Sequence, residues 1–431
     1  MATILECSQI SPALDSAAEF SLPIVFFDMV WYGFAANQSV LFFEFPCSKS
    51  HFLETIIPDL KRSLSLTLTQ FLPLAGNIIH PLKPGNKLVL HYETGNSVSF
   101  TVSESTADFN DLVGNDPRVC DEFYAFAPHL PPATYSENSD SCPVLALQVT
   151  LFPGQGLCIG FVTHHAVADA STVVSFMQAW ALINRSNHNG TDDNIRDLLT
   201  EGHLAPSVEL PINKLRATFV LKKEEIQRLK NYVLAKCPDI GHLSSFTILC
   251  ALVWVCSAKS AATGGEDVPD DEPEYFGFVA DCRGRLNPPL PANYFGNCVA
   301  LVKAELKHGD VKGNDGFVTA AKAIGEAIKE SVYSEKGVLY GAEKWPDEYG
   351  KLVGKRQYGV AGSPRFNFYA VDYGWGKPKK FEALFIDGGD SISLCKSRDF
   401  EGGLEIGLSK PMVQMDAFTA VFKEILESSL P

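Results

Sequence analysis

Two adjacent histidines, His164 and His165, are followed by Ala-Val-Ala, Asp169, Ala170 and Ser171. A neutral imidazole can take a proton from a hydroxyl near neutral pH, because its unperturbed pKa is about 6.5. The carboxylate of Asp169, one turn further on, can fix the ring's surroundings directly or by pairing with a distant arginine. The same string also fits a packed histidine followed by an aspartate that caps a helix. Adjacent side chains of an extended backbone point to opposite faces. His165 is therefore read as the chemical group and His164 as a structural one.

Two further strings have unusual composition. Asp372-Tyr-Gly374-Trp375-Gly376-Lys377-Pro378 makes a constrained loop, and its glycines would let the backbone approach a ligand closely. The other reading of that loop is a structural turn around a packed tryptophan. Asp281-Cys-Arg283-Gly-Arg285 opens a proline-rich loop that runs to Tyr294-Phe-Gly296-Asn297-Cys298. Arg283 follows an apolar strand at Tyr275 to Ala280 and is a candidate partner for a buried aspartate. No serine or cysteine elbow suggests a covalent intermediate.

The elements around these residues read as alternating strands and helices, which points to α/β layers. Leu145 to Phe152 and Leu157 to Val162 read as strands joined at Gly154-Gln-Gly156. Val173 to Asn184 reads as a helix, so His165 and Asp169 lie between a strand end and a helix start, where α/β folds place chemistry. Pro58 to Leu68, Lys222 to Lys236, Ser244 to Ser257 and Gly316 to Val332 read as further helices, and Lys214 to Val220 as a strand. The polar stretch from Arg185 to Leu210 is the candidate interdomain crossover. Ala261 to Tyr275 reads as an acidic surface loop.

The chain has 431 residues, 46% of them hydrophobic, and a formal net charge of −15. That length suits two domains and that composition suits packed cores. The acidic balance argues against nucleic acid and anionic membrane surfaces as partners. Eleven scattered cysteines, with no Cys-x-x-Cys pair, indicate a reducing compartment and neither a disulfide framework nor a metal site. No signal sequence and no apolar run of membrane-spanning length is read, so the expected location is cytoplasmic.

Taken together, His165-x-x-x-Asp169 and Asp372-Tyr-Gly-Trp-Gly resemble the two signature motifs of the plant BAHD acyltransferase family. Tyr294-Phe-Gly-Asn-Cys298 resembles the branch that malonylates anthocyanin, flavonoid and other phenolic glucosides. Supporting strings include Phe26-Phe-Asp28 with Trp31, Phe71 to Asn77, Ser244 to Thr247, Gly362-Ser-Pro364 and Leu404 to Leu408. The chain departs from the family in carrying Tyr373 for a usual Phe, Ala170 for a frequent Gly, and a short crossover.

The resemblance implies an α/β fold of two chloramphenicol-acetyltransferase-like domains, each a mixed sheet with helices, with a channel between them. The expected domains are residues 1–190, completed by about 377–398, and 211–431 carrying the Asp372 loop, with a crossover at 191–210. It implies an acyl-CoA-dependent O-acyltransferase with malonyl-CoA as co-substrate, a phenolic glucoside acceptor, no permanently bound cofactor and a monomeric state. His165 would be the general base. Asp169 would turn away from the channel to pair with Arg283. Asp372, Gly374, Trp375 and Gly376 would shape the CoA side. Ser245, Thr247, Lys214 and Lys377 are candidate CoA contacts, and Trp31, Asn297 and Ser363 candidate channel or acceptor contacts. A hydroxycinnamoyl donor, a carrier-dependent condensation domain and a non-catalytic glucoside binder are the alternatives.

Overall fold

The computed structural model describes residues 2–13, 19–83, 85, 87–186 and 213–428. The expected crossover at 191–210 lies outside the described residues.

Every residue of the strands Leu145–Phe152 and Gly156–Thr163 is buried. Such near-continuous apolar runs belong to strands covered on both faces. They form a hairpin at the centre of a six-stranded sheet. Its order is Ala2–Ile10, Val98–Ser105, Leu145–Phe152, Gly156–Thr163, Asn37–Phe43 and Lys380–Ala383. One pairing, Val98–Ser105 with Leu145–Phe152, is parallel and the rest are antiparallel. The helices Ile57–Gln70 and Ala170–Ser186 belong to this half, and they meet through the Trp180 indole, which donates to Leu60 O at 3.2 Å and Ser63 Oγ at 3.0 Å.

A second sheet has seven strands: Val299–Lys307, Pro273–Asp281, Arg356–Gly362, Ser391–Lys396, Leu404–Pro411, Lys214–Leu221 and Arg118–Val119. The helix Ser245–Ser260 is apolar almost all round and nearly all of it is buried, as a helix inside a core must be. It packs with Lys223–Lys236, Gly316–Val332 and Met412–Ser428 around a separate hydrophobic core. A smaller five-stranded sheet of Phe20–Pro23, Val89–Tyr92, Asn77–Pro81, Ser139–Pro143 and Thr134–Tyr135 flanks the first.

The halves exchange strands. Lys380–Ala383 returns to pair with Asn37–Phe43 in the first sheet. Arg118–Val119 crosses the other way to pair with Lys214–Leu221. The returning segment is shorter than the expected 377–398, because Ser391–Lys396 lies in the second sheet, between Arg356–Gly362 and Leu404–Pro411. Arg118 Nη2 reaches Glu382 Oε1 at 2.8 Å, Arg216 Nε stands 3.5 Å from Glu382 Oε2, and Arg216 Nη2 donates to Ala383 O at 2.8 Å. All three charged side chains are buried, so the exchange is tied by ion pairs inside the protein.

Candidate active site

The strand Gly156–Thr163 ends at the histidine pair. His164 N donates to Val144 O at 2.9 Å, His164 O accepts from Val167 N at 3.0 Å, and His164 Nδ1 accepts from Ala166 N at 3.2 Å. These bonds make the turn that carries the chain from strand to helix. Burial lowers the pKa of His164, which keeps Nδ1 free to accept.

Asp169 stands at the start of the helix Ala170–Ser186 and uses both oxygens. Its Oδ1 accepts from Thr172 N at 3.1 Å and from Thr172 Oγ1 at 3.3 Å, which caps the helix. Its Oδ2 faces Arg283 Nη1 at 2.8 Å and accepts from Cys298 N at 3.3 Å. Capping and pairing with a distant arginine are therefore both present. Arg283 is itself buried and saturated. It also bonds Asp281 Oδ1 at 3.0 Å, Tyr294 O at 3.1 Å and Gly296 O at 2.9 Å. One guanidinium thus joins the histidine turn of the first half to the Tyr294–Cys298 string of the second.

His165 lies against this junction. Its imidazole is stacked on the Trp31 indole, with ring centroids 4.1 Å apart and planes 6° from parallel. Its carbonyl accepts from Asn297 Nδ2 at 2.9 Å, and the same amide donates to Asp28 Oδ1 at 3.1 Å. The residue keeps some accessible surface, yet protein encloses it on nearly every side. Burial lowers its pKa to about 4, against weaker opposing contributions from its own backbone and from Asp169. The ring is therefore neutral at pH 7 and able to accept a proton. Burial also raises the pKa of Asp28, although Asn297 and Val25 N bond to it.

The glycine loop adopts a compact turn. Asp372 Oδ1 accepts from Gly374 N at 2.8 Å and from Gly376 N at 2.9 Å. Gly374 has φ of 101° and Gly376 of 86°, a region costly for any residue with a Cβ. Tyr373 meets Trp180 edge-on at 5.0 Å, Trp375 meets Phe43 at 5.4 Å, and Asn184 Nδ2 donates to Tyr373 O at 3.0 Å. The loop, expected with the second half, packs its rings into the core of the first.

The candidate CoA contacts fare unevenly. Thr247 is fully buried and its hydroxyl bonds Ser244 Oγ at 3.0 Å in a capping box. It offers no face to a ligand, which corrects that expectation. The Lys214 ammonium donates to Asp387 O at 2.7 Å, which ties its strand to the segment between the two sheets. Ser245 opens its helix half-buried, and Lys377 is exposed. Ser363 Oγ accepts from Arg365 N at 3.2 Å in a local turn.

The sequence model of the Transferase family matches residues 1–425 of the chain. The chain belongs to the Transferase family. A relative from Nicotiana tabacum, phenolic glucoside malonyltransferase 1, is 42% identical over 91% of this chain and 92% of its own length. A Dahlia pinnata protein, malonyl-coenzyme A:anthocyanin 3-O-glucoside-6''-O-malonyltransferase, is 40% identical over 99% and 98%. Among solved structures, vinorine synthase shares the fold, with a TM-score of 0.71 at 20% identity, covering 100% of this chain and 98% of that one. This Transferase-family chain is thus a BAHD-type acyltransferase with two chloramphenicol-acetyltransferase-like halves.

Sequence reading missed several groups of this candidate site. Thr172, Asp28 and the carbonyls of Tyr294 and Gly296 all hold the junction. Asp28 lies 269 positions from Asn297, and no local pattern links the two. The only available signal was that both lie in strings already singled out.

Proposed function

We propose that this enzyme transfers a malonyl group from malonyl-CoA to a sugar hydroxyl of a phenolic glucoside, such as a flavonoid or anthocyanin glucoside. The observation that carries the reading is the neutral, enclosed imidazole of His165 at the junction of two halves, in a chain about 40% identical to malonyltransferases named for those acceptors. His165 Nε2 takes the acceptor's hydroxyl proton as that oxygen attacks the thioester carbonyl carbon. The tetrahedral intermediate collapses, the C–S bond breaks, and the imidazolium returns the proton to the departing thiolate. Asp169 and Arg283 act structurally, by fixing the turn that aims the ring. The Asp372–Gly376 loop acts by packing.

CoA is a co-substrate in this reading, entering opposite the acceptor between domains of residues 1–190 and 211–431. Ser245, Lys214 and Lys377 remain candidate CoA contacts, and Ser363 and Trp31 candidate channel contacts. The protein works as a cytoplasmic monomer. None of the described helices is long and apolar enough to cross a membrane.

A second reading, an aromatic acyl donor, is favoured by the start of the helix after Asp169. Thr172 is held by Asp169, Val173 and Val174 are buried, and Ser175 Oγ donates to Ser171 O at 2.9 Å. That turn supplies no cation for a malonate carboxylate. Malonyl-CoA and p-coumaroyl-CoA should be offered in separate assays with a phenolic glucoside panel, and the products weighed. A malonylated glucoside is expected. A coumaroylated product alone would overturn the donor assignment, and no product from either would overturn the reaction.

A further inference from the structure

The acyl-transfer reading requires His165 to carry a positive charge between the removal of the acceptor proton and its delivery to the thiolate. The surroundings do little to welcome that charge. Asp169 is paired with Arg283 at 2.8 Å and spends its other oxygen on the helix cap. Asp28 faces Asn297, whose amide donates to the His165 carbonyl at 2.9 Å and favours the charged ring only weakly against burial. His164, the remaining titratable neighbour, opposes a second positive charge. His165 Nδ1 is buried with no hydrogen-bond partner among the described residues. Asp169 favours the charged ring only weakly against burial, and among the described residues no carboxylate bonds the ring.

One group does lie against it. The indole of Trp31 covers a face of the imidazole at 4.1 Å, close to parallel. The face of an indole carries negative electrostatic potential and attracts a cation within about 6 Å, most strongly where water is excluded. Trp31 is itself held in place. It follows the helical turn Phe26–Met29 with its N–H bonded to Asp28 O at 3.0 Å, and it leans on Phe34 at 5.2 Å. Asp28 and Trp31 thus reach the base from one short segment, the first through Asn297 to its carbonyl and the second directly to its ring.

We propose that Trp31 is a positioning residue for His165 whose indole face also stabilises the imidazolium formed during acyl transfer. The inference rests on the proposed general-base role of His165. Size and charge effects separate if Trp31 alone is replaced, by site-specific incorporation, with tryptophans carrying one to four ring fluorines. These keep the shape of the indole and progressively weaken its face as a cation partner.

Thiol release by each protein should be followed against pH with the acyl donor and glucoside. The expected result is a stepwise fall in plateau kcat, about tenfold at four fluorines, with the KM for the glucoside little changed. The acid limb should move to lower pH in the same order. An unchanged plateau and acid limb across the series would overturn the proposal and leave Trp31 a packing residue. If the unmodified enzyme turns over no donor, the reaction has failed, and the ring pair is read instead by NMR titration of the His165 Cε1 carbon. A midpoint that falls with fluorination would support the stabilising contact, and a constant midpoint would overturn it.

Discussion

At the scale of the residue, the reactivity of the site follows from burial. Taking an imidazole out of water disfavours its charged form. His165, with its pKa lowered to about 4 by burial, stays a free base through the neutral range. The sign is simple: protonation removes the base, so activity declines only as pH falls through that lowered value. The acid limb of the kcat/KM profile is expected near pH 4 and not near the ordinary histidine value of about 6.5, as a pH-rate series would show. Tyr373 illustrates the opposite case, a polar group buried without use. Its hydroxyl has no hydrogen-bond partner among the described residues, and the side chain is fully buried among Trp180, Phe43 and Trp375. Removing an unsatisfied buried hydroxyl relieves its desolvation cost. Tyr373→Phe should raise stability by about 1 kcal/mol in denaturant unfolding, with activity retained.

At the scale of the element, the site is a strand end, a turn and a helix start held by one arginine. Arg283 donates to groups at 169, 281, 294 and 296, so its loss would strand the buried Asp169 carboxylate and free three loop positions. Arg283→Met should cost about 3–5 kcal/mol by chemical denaturation and reduce kcat through misplacement of His165. Much of this was legible in the sequence. The buried runs at 145–152 and 156–163 announce a covered hairpin, and the 173–184 periodicity announces the helix that Asp169 caps one residue upstream of Ala170. Arg283 was legible as an arginine after a strand that wants a buried acid. The stack of Trp31 on His165 and the bond from Asn297 to the His165 carbonyl were not, because they join segments far apart in sequence. Thr247 misled for a related reason: Ser244-Ser-Phe-Thr247 looks equally polar whether the hydroxyls face a ligand or close a helix cap, and here they close the cap.

At the scale of the whole molecule, the two halves hold the site because each lends the other a strand. Periodicity marks strands but not their partners, so the family resemblance could suggest a returning segment and not its true extent, Lys380–Ala383. The reverse crossing by Arg118–Val119 is only two residues long and left no pattern to read. Glu382 stands where the crossings meet. Burial pushes its carboxyl up, but Arg118, Arg216 and Lys380 outweigh burial and hold its pKa below the usual value. Its contribution to stability is therefore complete above the ordinary carboxylate range and lost as pH falls through the depressed value. Glu382→Ala would leave two buried guanidinium groups short of a partner, and a loss of about 3–5 kcal/mol is expected in denaturant unfolding near neutral pH. The central claim, that the junction so built presents His165 as the base of an acyl transfer, is tested most directly by glucoside-dependent release of free thiol from malonyl-CoA. Wild-type protein should release it, and His165→Ala, folded as judged by its unfolding transition, should be slower by about 10²–10⁴-fold. Equal rates from the two proteins would contradict the account.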